Sequence, residues 1–181
     1  MKLVIVEDQT IVREAIRVEC VQNFGHEVVG EAESGTVAVE LIVRLRPDAV
    51  ILDLGLPGMD GFAVATLVRH ALPAVRLNEL SGLIDAYTVY RIEKVGIHGF
   101  VDKNAGTLAS LHEALTAIAE GKTWFSPSFQ AARIARQKNP RSFVKLLSET
   151  ECHILCLIGQ GLADDEIGQR LGISPTTAQT H

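Results

Sequence analysis

The chain has 181 residues, 47% of them hydrophobic and 22% charged, with a formal net charge of −5. That suits one large domain, or one domain plus a small second one, and the apolar content is too high for a disordered chain. No apolar run approaches the ~18 residues that span a bilayer. The N-terminus meets Glu7 and Asp8 too early for a signal peptide, and Cys20, Cys152 and Cys156 read as reduced thiols of a cytoplasmic protein.

Strand and helix signals alternate through the first two thirds of the chain. Residues 2–7 form a short apolar run ending in acids, which predicts a buried strand. Residues 10–21 carry Ile11, Ala15 and Val18 at helical spacing. A second strand is expected over 27–32 and a second helix over 36–45, stopped at Pro47. A third strand, 49–52, runs into the turn-rich Gly55-Leu56-Pro57-Gly58-Met59-Asp60-Gly61. Then come a helix over 62–72, a strand over 75–81, a helix over 86–95 closed by Gly96, a strand over 97–101, and a helix over 108–120 closed by Gly121. Such alternation implies βαβ units and a mostly parallel sheet with helices on both faces. The fourth strand contains Asn78 and Glu79. Either those side chains find partners, or the strand is short, shifted or exposed, because burying them unpaired costs about 1–3 kcal/mol.

The charge is uneven. Residues 1–121 hold 10 Lys/Arg against 17 Asp/Glu, residues 122–145 hold six basic residues and no acid, and residues 146–181 hold Arg170 against five acids. The basic stretch reads as a linker, with Arg133 and Arg136 among alanines on a short connecting helix. Beyond it, Ser148-x-x-Glu151 is a capping box opening a helix that Gly161 closes. Asp164 and Asp165 start a second helix, Gly172 closes it, and Ser174-Pro175 opens a third. Two short helices joined by a tight turn make a helix-turn-helix pattern.

In open α/β sheets, reacting groups gather at the carboxyl ends of the strands. Glu7 and Asp8 follow the first strand, Asp53 ends the third, Ser81 the fourth, and Lys103 follows the fifth. Three carboxylates brought together repel one another and need a cation, and an all-oxygen cluster suits Mg²⁺. A lysine and a hydroxyl nearby can hydrogen-bond phosphate oxygens, so the set can move a phosphoryl group onto or off a carboxylate. Singly, Asp8 and Asp53 could equally cap helices, Phe100 could be core, and Lys103 could be a solvated lysine; together they favour a site. Gly55, Gly58 and Gly61 mimic a dinucleotide fingerprint at the wrong spacing and read as turn chemistry.

At these residues, over 1–121, the sequence resembles the receiver domain of two-component response regulators: the Glu7-Asp8 pair, Asp53 followed by Leu-Gly-Leu-Pro-Gly-Met-Asp-Gly, Ser81-Gly82, Phe100 and Lys103. The resemblance implies that Asp53 is the phosphoacceptor. It implies Asp8 as the main Mg²⁺ ligand, with Glu7 helping and the backbone carbonyl of Gly55 adding another ligand. Lys103 would pair with phosphoryl oxygens, Ser81 would swing onto the phosphoryl group, and Phe100 would follow as the aromatic switch. Residues 148–181 resemble the start of a LuxR/NarL/FixJ-type helix-turn-helix: Leu147-Ser148, Glu151, Ile154-Leu155, Gly161-Leu162, Glu166-Ile167, Leu171-Gly172-Ile173-Ser174, Thr177 and Thr180-His181. Transcription control is implied, with Thr176, Thr177 and Thr180 reaching phosphates and Gln179 a base edge. Cys152-His153-x-x-Cys156 lacks zinc-site spacing and reads as helix face.

The expected whole is a flavodoxin-like, doubly wound five-stranded parallel sheet followed by a small all-α helix-turn-helix segment. Its units are a receiver (1–121), a basic helical linker (122–147) and an incomplete output domain (148–181). The resemblance implies a sensor histidine kinase as donor, promoter DNA as target, a homodimer through receiver or linker, no membrane, and no enzymatic purpose. Two alternatives stand beside it. One is a receiver that acts by pairing without touching DNA. The other is an aspartyl-phosphate phosphatase of the HAD type, disfavoured because Asp53-Leu54-Gly55 has no second Asp.

Overall fold

Six strands, β1 (Lys2–Val6), β2 (Glu27–Ala32), β3 (Ala49–Asp53), β4 (Arg76–Ser81), β5 (Gly99–Asp102) and β6 (Trp124–Phe125), form one sheet in the order β2-β1-β3-β4-β5-β6. Every pairing is parallel. The computed structural model describes residues 1–138, 147–159, 161–174 and 176–177. The helices are α1 (Thr10–Val18), α2 (Gly35–Leu45), α3 (Gly61–Ala71), α4 (Ala86–Val95), α5 (Leu108–Ala119), α6 (Pro127–Lys138), α7 (Glu149–Gly159) and α8 (Asp164–Leu171).

The sheet reads as apolar runs because both its faces are covered. Every residue of β3 is buried. On one face Val4, Val6, Val50, Leu52, Leu77 and Phe100 pack against α2, α3 and α4, joined by Phe129 of α6. On the other, Leu3, Ile5, Ile51, Leu80 and Val101 pack against α1 and α5. A small third cluster, Ile154, Leu157 and Ile167, holds α7 to α8. The Ser148 capping box forms, with Ser148 N–H donating to Glu151 Oε2 (2.7 Å) and Glu151 N–H to Ser148 Oγ (3.3 Å).

Three expectations change. The sheet has six strands, not five: Trp124 and Phe125 pair with Gly99 and Phe100, inside the segment expected to be linker. The helix expected over 10–21 is α-helical only to Val18, then widens into a π turn, Glu19–Asn23, that buries Cys20. The fourth strand is neither short nor shifted nor exposed: Asn78 pairs with Ile51 and Gly99, Glu79 with Leu52 and Phe100, and both side chains are fully buried. They nevertheless find no hydrogen-bond partner among the described residues. Gly99 makes room for Asn78, because a Cβ there would collide with the Asn78 amide oxygen. The third helix of the output segment is described only at its cap Ser174 and at Thr176 and Thr177; Pro175 lies outside the described residues.

Candidate functional site

The carboxyl ends of β1, β3, β4 and β5 bring the expected site residues together. Asp53 is the last residue of β3 and almost fully buried. Its Oδ1 accepts from the Gly55 N–H (3.1 Å), and its Oδ2 lies 2.9 Å from Lys103 Nζ. The same Nζ donates to Glu7 Oε2 at 2.7 Å. Lys103 itself is placed by its backbone N–H, which donates to the Ser81 carbonyl (2.9 Å). Gly61 closes the loop that follows Asp53. A Cβ there would collide with the Asp53 carbonyl oxygen and lie 2.7 Å from Leu54 Cα, so no larger residue fits without moving backbone.

Carboxylate oxygens of Glu7, Asp8 and Asp53 lie within 4.8 Å of one another. Burial raises the pKa of Glu7, with the Lys103 hydrogen bond opposing and the Asp53 charge adding to the rise. Burial lowers that of Lys103, but its hydrogen bonds to Glu7 and Asp53 outweigh it and the net shift is upward. Asp8 Oδ1 is shielded from solvent and has no hydrogen-bond partner among the described residues. An acceptor left without a donor beside two further carboxylates is what a hard divalent cation completes. The residues present therefore fit such an ion. The Gly55 backbone meets Asp53 through its N–H.

Ser81 stands at the end of β4, but its hydroxyl is engaged locally: Oγ accepts from Leu83 N–H (3.0 Å) and donates to Leu83 O (3.3 Å). Phe100 is fully buried, its ring centroid 5.1 Å from that of Phe129. Thr176 and Thr177 are exposed, and Thr177 N–H donates to Ser174 Oγ (3.0 Å). Gln179 and Thr180 lie outside the described residues.

Sequence reasoning missed a wall of the site. A cavity of about 410 Å³ opens over Asp53, Ser81 and Lys103, and His153, Cys156 and Leu157 of α7 and Arg170 of α8 close one side. Asp60 is a junction in that wall. Its Oδ1 caps α3 through Ala63 N–H (2.7 Å), and its Oδ2 meets Arg91 Nη1 (3.4 Å) and His153 Nε2 (3.5 Å). Asp85 caps α4 through Thr88 N–H (2.7 Å) and accepts from Cys156 Sγ (3.6 Å). Burial first, and the Asp85 charge second, push the Cys156 thiol up to about 12, which disfavours the thiolate. Neither aspartate stands out as a cap in the sequence, where Asp60 reads only as part of the turn-rich run. Nor does the sequence show that a distant helix leans on them, since no local pattern encodes it.

Chemically the arrangement offers an oriented carboxylate, a cation site beside it, a lysine to pair with an incoming anion, and a hydroxyl within one loop of it. The family described as response regulator receiver domain matches residues 3–116, and that of bacterial regulatory proteins, luxR family, matches residues 145–181. The response regulator protein VraR of Staphylococcus aureus is 29% identical over 181 residues, covering 100% of this chain and 86% of the relative. The solved structure of RcsB from Salmonella enterica serovar Typhimurium, bound to a promoter in the presence of phosphomimetic BeF3−, has 25% identity and a TM-score of 0.77, covering 99% of this chain and 87% of that one. A LuxR-family two-component response regulator from Aurantimonas sp. has 29% identity and a TM-score of 0.70, over 76% of this chain and 98% of that one.

Proposed function

Because this chain belongs to the response regulator receiver family and carries a LuxR-type segment behind the receiver, we propose that Mg²⁺-dependent phosphorylation of Asp53 by a sensor histidine kinase switches it to control transcription. The observation that carries this reading is Lys103 Nζ held between Glu7 and Asp53, beside the unpartnered Asp8 Oδ1.

The Gly55 N–H and Lys103 fix the plane of the Asp53 carboxylate. One of its oxygens attacks phosphorus, the bond from phosphorus to the donor imidazole nitrogen breaks, and the nitrogen leaves with the electron pair. A Mg²⁺ held by Glu7, Asp8, Asp53 and the Gly55 carbonyl would supply positive charge for the phosphoryl oxygens. Lys103 then exchanges part of its hold on Asp53 for a phosphoryl oxygen. Ser81 must give up Leu83, at about 1 kcal/mol for a neutral hydrogen bond. A charge-assisted bond to the phosphoryl group, worth about 1.5–3 kcal/mol, favours that exchange. Phe100 follows, so phosphorylation shifts a population between two arrangements of the β4 and β5 ends. A catalytic product is not the purpose of this role, and the position two beyond Asp53 is Gly55, where a HAD-type phosphatase would carry a second acid.

Three units carry the proposal: phosphoacceptor 1–121, connecting segment 122–147, output segment 148–181. Thr176, Thr177, Gln179 and Thr180 would meet promoter DNA, as RcsB is solved bound to a promoter. A cytoplasmic place fits the free thiols of Cys20, Cys152 and Cys156, and no helix among the described residues is long and apolar enough to cross a membrane. One observation favours a second reading, in which the chain acts by homodimerisation without DNA contact. Residues 146–181 hold five acids against Arg170, a poor match to phosphates. A mobility-shift assay on promoter DNA, with and without phosphodonor, separates the two. The phosphoacceptor is tested by intact mass after incubation with acetyl phosphate and Mg²⁺. The wild type should gain one phosphoryl group and Asp53→Asn none; equal gain in both would overturn the assignment.

A further inference from the structure

We propose that helix α6 is the coupling element of this receiver, an inference that rests on the phosphoacceptor reading above: its docking on α4 and β5 is the contact that the state of Asp53 sets, and α4 in turn carries the contacts to the output segment.

Both parts expected to move on phosphorylation touch α6. Phe100, on β5, packs on Phe129, and Phe129 stacks on Phe125 with centroids 4.9 Å apart. Phe100 is fully buried and Phe129 nearly so, in a core without slack, so the Phe100 ring cannot turn while Phe129 stays in place. Helix α4 starts at Ala86, five residues after Ser81, and it is tied to α6 by charge. Glu93 Oε1 pairs with Arg133 Nε (2.8 Å), and its Oε2 pairs with Arg136 Nη2. A shift of either α4 or Phe100 therefore strains the α6 contact.

That contact is thin, as a releasable one must be. Of the twelve residues of α6, Phe129 alone is classed as buried. Ile134 stays half exposed, and Arg136 Nε is shielded from solvent with no acceptor, so the docked form carries an unsatisfied donor. A helix held by one buried ring, a half-buried Ala132 beside it and two ion pairs belongs to the less stable part of a fold. On the other side of the same α4, the output segment leans through His153 on Tyr87 (ring centroids 5.8 Å apart) and through Cys156 on Asp85. Helix α4 is thus gripped by the connecting helix and by the output helix, and loosening one grip changes the geometry of the other.

The test is amide hydrogen exchange over residues 127–138 in the full chain, with intact mass read on the same samples. Acetyl phosphate with Mg²⁺ should speed exchange there by at least about fivefold in the wild type, the lower end of ordinary coupling between sites. Asp53→Asn should show no change. Glu93→Gln, a surface substitution, should by itself speed α6 exchange by about two- to fivefold, the weight of exposed ion pairs, with its phosphoryl gain unaltered. A wild type that gains the phosphoryl mass while α6 exchange stays constant would overturn the coupling role and leave the phosphoacceptor reading standing. A wild type that gains no mass would overturn both.

Discussion

Replacing Glu79 by glutamine should stabilise the protein, and stabilise it more at pH 7 than at pH 5. Glu79 is fully buried in the central β4, between Leu52 of β3 and Phe100 of β5. Neither of its oxygens has a hydrogen-bond partner among the described residues. Burial raises its pKa well above the ordinary 4.5; the Arg91 charge opposes this, and those of Asp60 and Asp53 add to it. The folded state therefore keeps a proton that the unfolded chain releases above pH 4.5, and stability falls as pH rises from there through the folded-state value. While the folded carboxyl stays neutral, the loss is about 1.4 kcal/mol per pH unit. Glutamine keeps the shape and an unsatisfied amide but has no proton to hold, so the loss disappears. Urea unfolding of both proteins at pH 5, 6 and 7 reads the difference. His98, whose burial pulls its pKa down to about 4, contributes equally to both and cancels. An advantage of the same size at pH 5 and pH 7, or none at pH 7, would refute the reasoning.

Lys103→Met leaves Glu7 and Asp53 without their shared cation; it should cost about 1–3 kcal/mol at pH 7 in the absence of divalent metal. Added Mg²⁺ should restore more stability to this variant than it adds to the wild type, and an equal thermal shift in both would contradict the placement. Gly61→Ala should cost about 1–3 kcal/mol by overpacking and slow phosphoryl gain, because the new methyl meets the Asp53 backbone; a variant with wild-type urea midpoint and uptake rate would argue against that contact. Ser81→Ala should still take up phosphate, since its hydroxyl is engaged with Leu83 and not with Asp53, but lose phosphorylation-dependent dimerisation, as read by analytical ultracentrifugation.

Much of the fold was legible because apolar periodicity and chain punctuation agreed. The strand over 27–32 and the helix over 86–95 have the expected bounds. The clustering of the candidate site was legible because Glu7, Asp8, Asp53 and Lys103 interrupt apolar runs where strands end. Strand β6 escaped notice because two residues have no periodicity, and a basic segment masked the aromatic pair Trp124-Phe125. The π turn at Glu19–Asn23 escaped because it continues the helical pattern of α1 with one residue too many per turn. At β4, Asn78 and Glu79 stand out in the sequence as costly to bury, yet strand pairing on both sides overrode that cost. The α7 and α8 wall over Asp53 is a contact between segments some 70 residues apart or more, which no window of sequence contains.

The sixth strand also bears on how the chain is made. Helix α5 is reached before β6 and Phe129 exist, so during synthesis the outer edge of β5 and one side of the Phe100 ring face water. At the usual ~5–20 residues per second, the 27 residues from Asp102 to Phe129 take a few seconds to appear. Through that interval the nascent sheet presents an unpaired parallel edge with an aromatic beside it, a template for pairing with a neighbouring chain. Trp124 and Phe125 close that edge, and Pro127, at the start of α6, has no N–H to extend it further.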